Sequence, residues 1–337
     1  MEANIKPVVW GVLSTAKIGT SRVLPSMQPS PWVELRAIAS RSLASAQEAA
    51  SELGIPVAYG SYEDLIADPE IEAIYNPLPN HLHVPLTLAA ARAGKHVLCE
   101  KPLAISAEEA AQLREVADKV LIEEAFMVRH HPQWQTAREL IRAGRIGPLT
   151  AVQAFFSYFN VDAADVRNQA DIGGGALYDI GCYAILSGRY LFEAEPLRVV
   201  ALVDRDPAFG TDRRTSALVD FGGGRHLTFT VSTQNCGYQR VQAIGSQGRI
   251  EIPIPFNPPP GGATRIALDP GGALDGSRIE WIDIAPADQY RLQGEAFSRR
   301  IRGQAADGYP LSDAEAQMRV IDALFRSERS GGWELVA

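Results

Sequence analysis

The chain has 337 residues, of which 46% are hydrophobic, and it carries a formal net charge of −8 with a pI near 5.4. This length is sufficient for two domains with separate cores, and the acidic balance argues against nucleic-acid or anionic-membrane partners, because both need a cationic surface. The sequence contains neither the roughly 20-residue apolar run of a membrane span nor the apolar core of a signal peptide at its start. We therefore expect a cytoplasmic protein.

The first 125 residues alternate strand and helix patterns, which predicts a mainly parallel, doubly wound sheet. The predicted strands are Pro7–Leu13, Val33–Ala39, Val57–Tyr59, Ile71–Tyr75, Lys95–Cys99 and Val120–Ala125. The predicted helices are Ala16–Met27, Leu43–Leu53, Tyr62–Ala67, Leu82–Ala93 and one that begins after Ser106, with Glu109 at capping-box spacing.

The turn after the first predicted strand is a degenerate form of the glycine-rich dinucleotide fingerprint. Ser14 and Ala16 occupy the first two glycine places and Gly19 the third. Small residues still allow a pyrophosphate to approach the backbone, and the following helix start supplies amide donors. The residues predicted to bind the phosphates are Ser14, Thr15, Ala16, Lys17 and Ile18.

The end of the second predicted strand indicates which cofactor is used. Proteins of this architecture that use NAD usually place an acidic residue there, whereas this chain has Ser40, Arg41 and Ser42. An Arg at this place favours a 2′-phosphate, so we expect NADP, with NAD as the alternative. A solvated surface Arg is the other interpretation.

A loop with two prolines follows the fourth predicted strand and is placed to lie along a nicotinamide or ribose. Its predicted cofactor contacts are Pro77, Leu78, Asn80 and His83. His81 and His83 are two residues apart with no Cys or carboxylate cluster beside them, and His130 and His131 are adjacent, so we expect no metal site. The cysteines Cys99, Cys182 and Cys236 also lack metal-ligand spacing, and we expect reduced thiols.

The charged pair Glu100-Lys101 comes directly after the predicted strand Lys95–Cys99. Ligands of open α/β sheets bind outside the carboxyl ends of the strands, so Lys101 is predicted to face a pocket. Pro102 fixes the following turn and tolerates a cis bond. A surface lysine at a strand end is the alternative.

After about residue 147 strands dominate, which predicts a large, mainly antiparallel sheet with one covered face and one open face. The open face is interpreted either as an oligomer interface or as a solvated surface. The predicted strands are Thr150–Phe159, Leu197–Asp204, Thr215–Phe221, Leu227–Ser232, Arg240–Ile244, Arg249–Ile252, Arg265–Leu268 and Ile279–Ile284, with a hairpin turn at Phe221–Arg225. The predicted helices are Gln289–Arg302 and Ser312–Arg329, the second with Ser312 and Glu315 at capping-box spacing.

A second glycine-rich segment, Gly173–Gly175, precedes a predicted helix. Asp179 and Tyr183 are four residues apart on that helix, a spacing that places both side chains on one face. The carboxylate and the phenol would then point into one pocket. The alternative is that Tyr183 is packed and Asp179 is a cap.

These motifs together resemble the Gfo/Idh/MocA oxidoreductases, the family of glucose–fructose oxidoreductase and inositol dehydrogenase. The motifs are Glu100-Lys101-Pro102, the Asn76–His81 loop, Glu124–Met127 with Arg129, and the helix with Asp179 and Tyr183. The resemblance covers nearly the whole chain. It implies a Rossmann domain over residues 1–125 and an α/β domain with a large open sheet over 126–337, whose final helices return toward the first. It also implies a nicotinamide cofactor, a sugar or polyol-like substrate, and a homodimer or homotetramer formed through the open sheet.

Many members of the family have His where this chain has Tyr183, and Tyr is similar to the branch with glucose–fructose oxidoreductase, NADP-dependent xylose dehydrogenase and dimeric dihydrodiol dehydrogenase. The resemblance implies that Tyr183 is the base, that Lys101 favours its phenolate, and that Asp179 orients the substrate hydroxyl. Lys101 and Tyr183 are interchangeable in these roles. Glu100 and Arg129 are assigned to the cofactor or its surroundings.

We expect an aldose 1-dehydrogenase of the xylose or glucose type. The alternatives are a trans-dihydrodiol dehydrogenase, a 1,5-anhydrofructose-type reductase, a transcriptional co-regulator of the same fold that senses nicotinamide nucleotides, and a non-catalytic assembly protein. The side chains expected to select the substrate are Phe156, Tyr158, Asn160, Arg167 and Tyr238.

Overall fold

A computed structural model describes residues 5–337 as two compact units. Of the described residues, the first unit contains 5–127 together with Asp288–Glu315, and the second contains Val128–Ala287 together with Ala316–Ala337. Within the described residues there are two sheets, one of six strands and one of nine. The predicted α/β fold class, with a doubly wound sheet followed by a large and mainly antiparallel one, is confirmed.

The strands are, in chain order, β1 (Val8–Leu13), β2 (Val33–Ala39), β3 (Val57–Tyr59), β4 (Ala73–Asn76), β5 (His96–Cys99), β6 (Ile122–Glu124), β7 (Leu149–Phe159), β8 (Arg198–Arg205), β9 (Asp212–Asp220), β10 (His226–Ser232), β11 (Gln234–Gly245), β12 (Arg249–Ile252), β13 (Thr264–Asp269), β14 (Glu280–Ile284) and β15 (Glu334–Leu335). The α-helices are α1 (Leu24–Met27), α2 (Leu43–Leu53), α3 (Tyr62–Ala67), α4 (His83–Arg92), α5 (Ala107–Ala111), α6 (Pro132–Arg142), α7 (Cys182–Phe192), α8 (Gln289–Ile301) and α9 (Leu311–Ser330). Short 3-10 turns occupy Asn80–Leu82, Gln112–Glu115, Met127–His130, Val166–Asn168 and Ala170–Ile172, and wide π turns lead into α1 at Gly19–Val23 and into α7 at Leu177–Gly181.

The first sheet has the order β3-β2-β1-β4-β5-β6, and its strands pair in parallel. This is the order of a Rossmann fold, in which the chain reverses direction across the sheet between β1 and β4. The strand β1 is central and its residues are mostly buried. Gly11 leaves room there for neighbouring side chains, since a Cβ would lie 2.7 Å from a methyl carbon of Leu65 and 2.8 Å from one of Ile71 and would force them to shift.

The first predicted helix, Ala16–Met27, differs from the prediction in its geometry. Its residues Gly19–Val23 form a π turn before α1 continues as a regular helix. Hydrophobic periodicity does not reveal this π turn, because five residues are too few to distinguish the period of a π-helix from that of an α-helix.

One of the two predicted capping boxes is confirmed and the other is wrong. The Ser106 hydroxyl accepts the Glu109 amide at 3.1 Å, and Glu109 in turn accepts the Ile105 amide at 2.8 Å. Ser312, in contrast, lies inside α9, which begins at Leu311. Glu315 accepts two hydrogen bonds from the Arg114 guanidinium at 2.7 and 2.6 Å, so a tertiary ion pair occupies the carboxylate that a local cap would have used.

The second sheet has the order β14-β13-β12-β11-β7-β10-β9-β8-β15. Its pairs are antiparallel except for β7 with β10, which run in parallel. Strand β10 shows that one face is covered, since Leu227, Phe229 and Val231 are buried while His226, Thr228 and Thr230 on the other face are not. Helix α7 packs against β7 and β10 on the covered face.

Two features of the second sheet were not predicted. Strand β11 begins at Gln234 rather than Arg240, because Gly237 and the exposed residues around it carry no alternating pattern. Strand β15 has only two residues, Glu334 and Leu335, and forms by pairing with β8, so no local signal marks it.

Cys99, Cys182 and Cys236 are free thiols, as predicted. No helix within residues 5–337 is both long enough and apolar enough to cross a membrane. Over the same residues, no cluster of three or more His, Cys, Asp or Glu side chains is arranged to hold a metal ion.

Candidate active site

The turn between β1 and α1 has the backbone of a phosphate-binding loop although it lacks two of the three glycines. Ser14 has φ of 90°, a conformation that L-residues rarely adopt and glycine adopts freely. Its amide donates to Ala39 O at 2.8 Å, and its hydroxyl accepts the Ala16 amide at 3.1 Å. A hydroxyl-stabilised turn therefore replaces the first glycine.

The residues after this turn fit a bound dinucleotide. The first bond of the helix runs from Thr20 N to Ala16 O at 3.1 Å, so the amides of Lys17, Ile18 and Gly19 come before it and have no acceptor within the helix. Such amides and the helix dipole attract a phosphate. A Cβ on Gly19 would lie 3.5 Å from both Tyr75 and Pro77, an ordinary contact, so the third glycine is less constrained than in the full fingerprint.

The segment Ser40–Ser42 lies between the end of β2 and the start of α2. The Ser42 hydroxyl caps the helix by accepting the Ser45 amide at 3.3 Å, and the Ser42 amide donates to Ser40 Oγ at 3.3 Å. Arg41 is exposed, and its guanidinium interacts with the Tyr62 hydroxyl, an interaction that acts to lower the Tyr62 pKa against the larger raising effect of burial. The segment thus presents hydroxyls, a helix start and a cation together, a donor set that suits a phosphate.

The loop after β4 is fixed by a buried histidine. His83 is 1% exposed, with Nδ1 2.7 Å from Pro102 O and Nε2 2.6 Å from Leu78 O. Burial lowers the pKa of His83 to about 4, so the ring is neutral at pH 7 and donates to one of these oxygens. With both ring nitrogens against backbone carbonyls, His83 joins the loop to the turn after Lys101, and its contact with the cofactor stays a prediction.

The other predicted residues of this loop lie around that histidine. Leu78 is buried and its amide donates to Asn76 Oδ1 at 3.3 Å, while Asn80 begins a 3-10 turn. Asn76 is fully buried and donates to His83 O at 3.2 Å, so the loop is rigid at the strand end. Pro77 faces Gly19.

Lys101 follows β5, as predicted, and its bond to Pro102 is cis. Glu100 accepts the Tyr75 hydroxyl at 2.6 Å, and its other oxygen lies 3.4 Å from the Lys101 amide. The positive charge of Lys101 acts on His83, where it contributes to the lowered pKa. Glu100 and Lys101 therefore belong to the same strand-end cluster as the loop after β4.

Asp179 and Tyr183 lie on one continuous helix of the second unit, and Arg129 also belongs to that unit, where it is 4% exposed. Asp179 lies within the π turn Leu177–Gly181 and Tyr183 lies in the first turn of α7. Single π turns inside helices are frequent at functional sites. The predicted four-residue spacing thus spans a change from π to α geometry.

The Asp179 carboxylate is held by two side chains. Its Oδ2 accepts the Tyr158 hydroxyl at 2.6 Å and the Arg167 Nε at 3.2 Å, and Arg167 also contacts Asp165 at 3.3 Å. Burial and the charge of Asp179 hold the pKa of Tyr158 well above its ordinary value, so this phenol remains a neutral donor. The Asp179 charge raises the pKa of Arg167 as well, which keeps the guanidinium protonated.

Tyr183 is packed in an aromatic cluster and is 5% exposed. Its ring centroid lies 6.1 Å from that of Phe156 and 5.5 Å from that of Phe256, and these two phenylalanines stack on each other at 4.7 Å. Two rings from distant parts of the chain therefore fix the orientation of the phenol. Phe256 carries no recognisable signal, because it lies in a proline-rich loop.

Two of the residues expected to select a substrate have other neighbours. Asn160 donates to Asp165 Oδ2 at 2.8 Å. Tyr238 is exposed, and its ring lies edge-on to Phe155 at 5.4 Å. Phe156, Tyr158 and Arg167 are the members of the set that contact Tyr183 or Asp179.

Sequence comparison agrees with this arrangement. Residues 8–122 match the model of an oxidoreductase family with an NAD-binding Rossmann fold, and residues 134–251 match that of the GFO/IDH/MocA C-terminal domain. An uncharacterized oxidoreductase of Rhizobium meliloti is 47% identical over 331 residues, which cover 98% of this chain and 99% of that protein. The chain belongs to the Gfo/Idh/MocA family of oxidoreductases.

The chain is also 39% identical over 329 residues to the D-xylose 1-dehydrogenase (NADP(+)) 2 of Haloferax volcanii, which covers 96% of this chain and 98% of that one. A crystal structure of a 3-ketoreductase from Actinomadura kijaniata, in complex with NADP and TDP-benzene, superposes with a TM-score of 0.89 at 29% identity and covers 96% and 98% of the two chains. The predicted family, the NAD(P)-binding Rossmann domain and the oxidoreductase class are confirmed. The individual roles of the site residues stay predictions.

Proposed function

We propose that the protein transfers hydride between NADP(H) and a sugar or polyol-like substrate, and that it is an aldose 1-dehydrogenase of the xylose or glucose type. The observation that carries the proposal is the helix of the second unit, where the Asp179 carboxylate is fixed by Tyr158 and Arg167 and the Tyr183 phenol is fixed by two aromatic rings. The similarity to a relative named D-xylose 1-dehydrogenase (NADP(+)) 2 supports it.

In this proposal Tyr183 takes the proton of the substrate hydroxyl and Asp179 accepts a hydrogen bond from a substrate hydroxyl, which orients it. Tyr158 is excluded as the base because its pKa is raised well above the ordinary value. Lys101 carries the positive charge that stabilises a phenolate and a developing alkoxide. Lys101 and Tyr183 remain interchangeable as the proton acceptor.

The cofactor supplies the chemistry of hydride acceptance when it is bound. Within the first unit, the amides of Lys17, Ile18 and Gly19 are the proposed donors to its phosphates. Ser40, Arg41 and Ser42 are the proposed ligands of the 2′-phosphate, which is the basis for preferring NADP to NAD.

The function is tested by following nicotinamide absorbance with pentoses, hexoses and cyclic trans-diols, with NADP and NAD side by side. Turnover of an aldose with NADP supports the proposal. Turnover of a trans-diol alone supports the dihydrodiol dehydrogenase, and reduction of 1,5-anhydrofructose alone supports that reductase. Tight NADPH binding without turnover of any substrate contradicts the enzyme proposal and favours the nucleotide-sensing co-regulator.

The residue roles are tested by Tyr183→Phe and Lys101→Ala, each expected to reduce kcat by about 100-fold or more, because general acid–base groups typically contribute factors of this size. Tyr190→Phe is the matched control for the first variant, since it removes a buried hydroxyl from the same helix. Lys119→Ala, at an exposed position, is the control for the second. Near-normal turnover of either active-site variant with an intact fold contradicts the assignment.

We also propose that copies of the chain associate through the open face of the second sheet as a homodimer or homotetramer. One row across this face is formed by register partners from five strands, namely Leu202, Ser216, Thr230, Phe155 and Arg240. Leu202 is 78% exposed in the single chain, and exposed apolar side chains on a broad face are typical of an interface. Sedimentation of Leu202→Glu should show smaller species than the unmodified protein, and a monomeric unmodified protein contradicts the proposal.

A further inference from the structure

A buried carboxylate contacts the beginning of the helix that carries Asp179 and Tyr183. Asp212, the first residue of β9, is 1% exposed. Its Oδ2 accepts the Leu177 amide at 2.7 Å and the Thr215 hydroxyl at 3.0 Å. The contact joins residues 35 positions apart in the chain and lies wholly within the second unit.

The Leu177 amide needs an acceptor from outside the helix. The first bond of this helix runs from Asp179 N to Gly175 O at 3.1 Å, so Leu177 is among the residues whose amides have no acceptor within the helix. Residues that cap a helix usually supply that acceptor from the position just before it. Here the cap comes from a strand of the sheet and ties the start of the helix to β9.

The chain before the helix is shaped around this carboxylate. Gly175 has φ of 123°, and a Cβ on it would lie 1.9 Å from Asp212 Oδ1. A side chain at position 175 is therefore incompatible with Asp212 in its present place. Gly175 and Asp212 form a fitted pair, and the glycine-rich segment serves to bring the helix start onto the carboxylate.

The charged group that acts on Asp212 is Arg205 of the neighbouring strand β8. Arg205 is itself engaged by Glu328 of α9, with hydrogen bonds of 2.6 and 2.7 Å, and it interacts with Tyr178 on the π turn. Burial dominates over these contacts and raises the pKa of Asp212 to about 7. The carboxyl group therefore changes its charge within the working range of most enzymes.

We propose that Asp212 is a positioning residue for catalysis, which fixes the first turn of the helix and thereby sets the places of Asp179 and Tyr183. This role rests on the proposed function. It differs from the roles of Tyr158 and Arg167 because Asp212 contacts the helix backbone rather than the Asp179 side chain. A small displacement of reacting groups is sufficient to slow an enzyme markedly.

The test uses Asp212→Ala, which removes the cap, and Asp212→Asn, whose amide oxygen still accepts from Leu177 and Thr215. Asp206→Ala is the matched control, because Asp206 is a buried carboxylate of the same β8–β9 connection that binds turn amides and Gln234 instead. Three quantities are measured for each variant: kcat for the best substrate, Kd for NADPH, and hydrogen exchange of the amides in residues 176–183.

We expect Asp212→Ala to lower kcat about 10-fold or more and to speed exchange in residues 176–183, with Kd for NADPH unchanged. Asp212→Asn should have a kcat and an exchange rate close to those of the unmodified protein. If the unmodified enzyme shows a step near pH 7 in the pH profile of kcat, Asp212→Asn should lack it. Equal losses in Asp206→Ala, or a parallel rise in Kd for NADPH, would indicate general destabilisation and overturn the proposal. If the unmodified protein turns over no substrate, the proposed function fails, while unchanged exchange in Asp212→Ala still refutes the positioning role on its own.

Discussion

Two helix starts, one in each unit, share a backbone pattern and differ in what meets their amides. In the first unit Ser14 has φ of 90° and a π turn follows at Gly19–Val23. In the second, Gly175 has φ of 123° and a π turn follows at Leu177–Gly181. Each start therefore follows a residue in a conformation that favours glycine, and each helix is locally widened.

The difference lies in the group that binds the start. The acceptor at the first is the Ser14 hydroxyl, which bonds Ala16 and carries no charge. The acceptor at the second is the Asp212 carboxyl group, which bonds Leu177 from inside the unit. Asp212 already binds the Leu177 amide, so the second start is suited to hold its own side chains in place. At the first start the amides of Lys17, Ile18 and Gly19 come before the first helical bond, which suits an anionic cofactor. The two helix starts thus have similar backbones, and the contact from Asp212, on a distant strand, distinguishes their functions.

The largest effect is expected from the charge of Asp212. Its pKa of about 7 in the folded protein lies above the ordinary value of 3.8, so folding favours the neutral form. This stabilisation is fully present below about pH 4 and is lost as the pH rises through 7, a change of roughly 4 kcal/mol. Asp212→Asn has no such titration, so its free energy of unfolding relative to the unmodified protein should rise between pH 4 and 8. Denaturant titrations across this range measure the difference, and parallel curves would contradict the buried titrating carboxyl.

The next largest effect is a difference in stability between alanine variants of Gly175 and Gly19. Gly175→Ala introduces a Cβ that overlaps Asp212 and an unfavourable φ, so it should lower the free energy of unfolding by about 3 kcal/mol. Gly19→Ala introduces a Cβ at ordinary contact distance from Tyr75 and Pro77 and should change stability by less than about 1 kcal/mol. Denaturation of the two variants side by side measures this. Equal losses would show that the two starts are constrained alike.

Arg41→Ala tests whether the first unit binds the 2′-phosphate of NADP in addition to the pyrophosphate. Loss of a charge-assisted contact to the 2′-phosphate should raise Kd for NADPH about 10-fold or more and leave Kd for NADH nearly unchanged. Arg92→Ala, which removes an exposed guanidinium paired with Glu115, is the control. Fluorescence titration with both cofactors gives the values, and tighter binding of NADH than NADPH by the unmodified protein would refute the NADP preference.

The smallest effect concerns Ser14. Ser14→Gly relieves the strained φ but loses the hydroxyl that accepts the Ala16 amide, two changes of about 1 kcal/mol each that nearly cancel. Ser14→Ala loses the hydroxyl and keeps the strain, so it should be less stable than the glycine variant by about 1 kcal/mol. Denaturant midpoints of the two variants measure the gap. An alanine variant as stable as the glycine variant would mean that the serine is unstrained.

Much of the fold was predictable because its signals are local. The alternation of strands and helices predicted the parallel sheet, and the Gly222–Gly224 turn predicted the hairpin between β9 and β10, whose end residues Phe221 and Arg225 are hydrogen-bonded. Ser106 and Glu109 formed their cap as predicted, since both partners lie within one turn. The cap predicted from Ser312 was wrong because α9 already begins at Leu311, and Arg114, 201 residues before Glu315, binds that carboxylate.

Local patterns of residues were sufficient to establish the class of the protein: two α/β regions, a helix start suited to phosphates, and motifs that assign the chain to its family. They also placed Asp179 and Tyr183 on one helix, since four residues of spacing carry that information. The side chains that hold these two residues in place became visible in the folded chain. Tyr158, Phe256 and Asp212 come from other elements of the second unit. Their contacts depend on which strands and loops become neighbours in the fold, and a local sequence pattern does not predict such long-range neighbours.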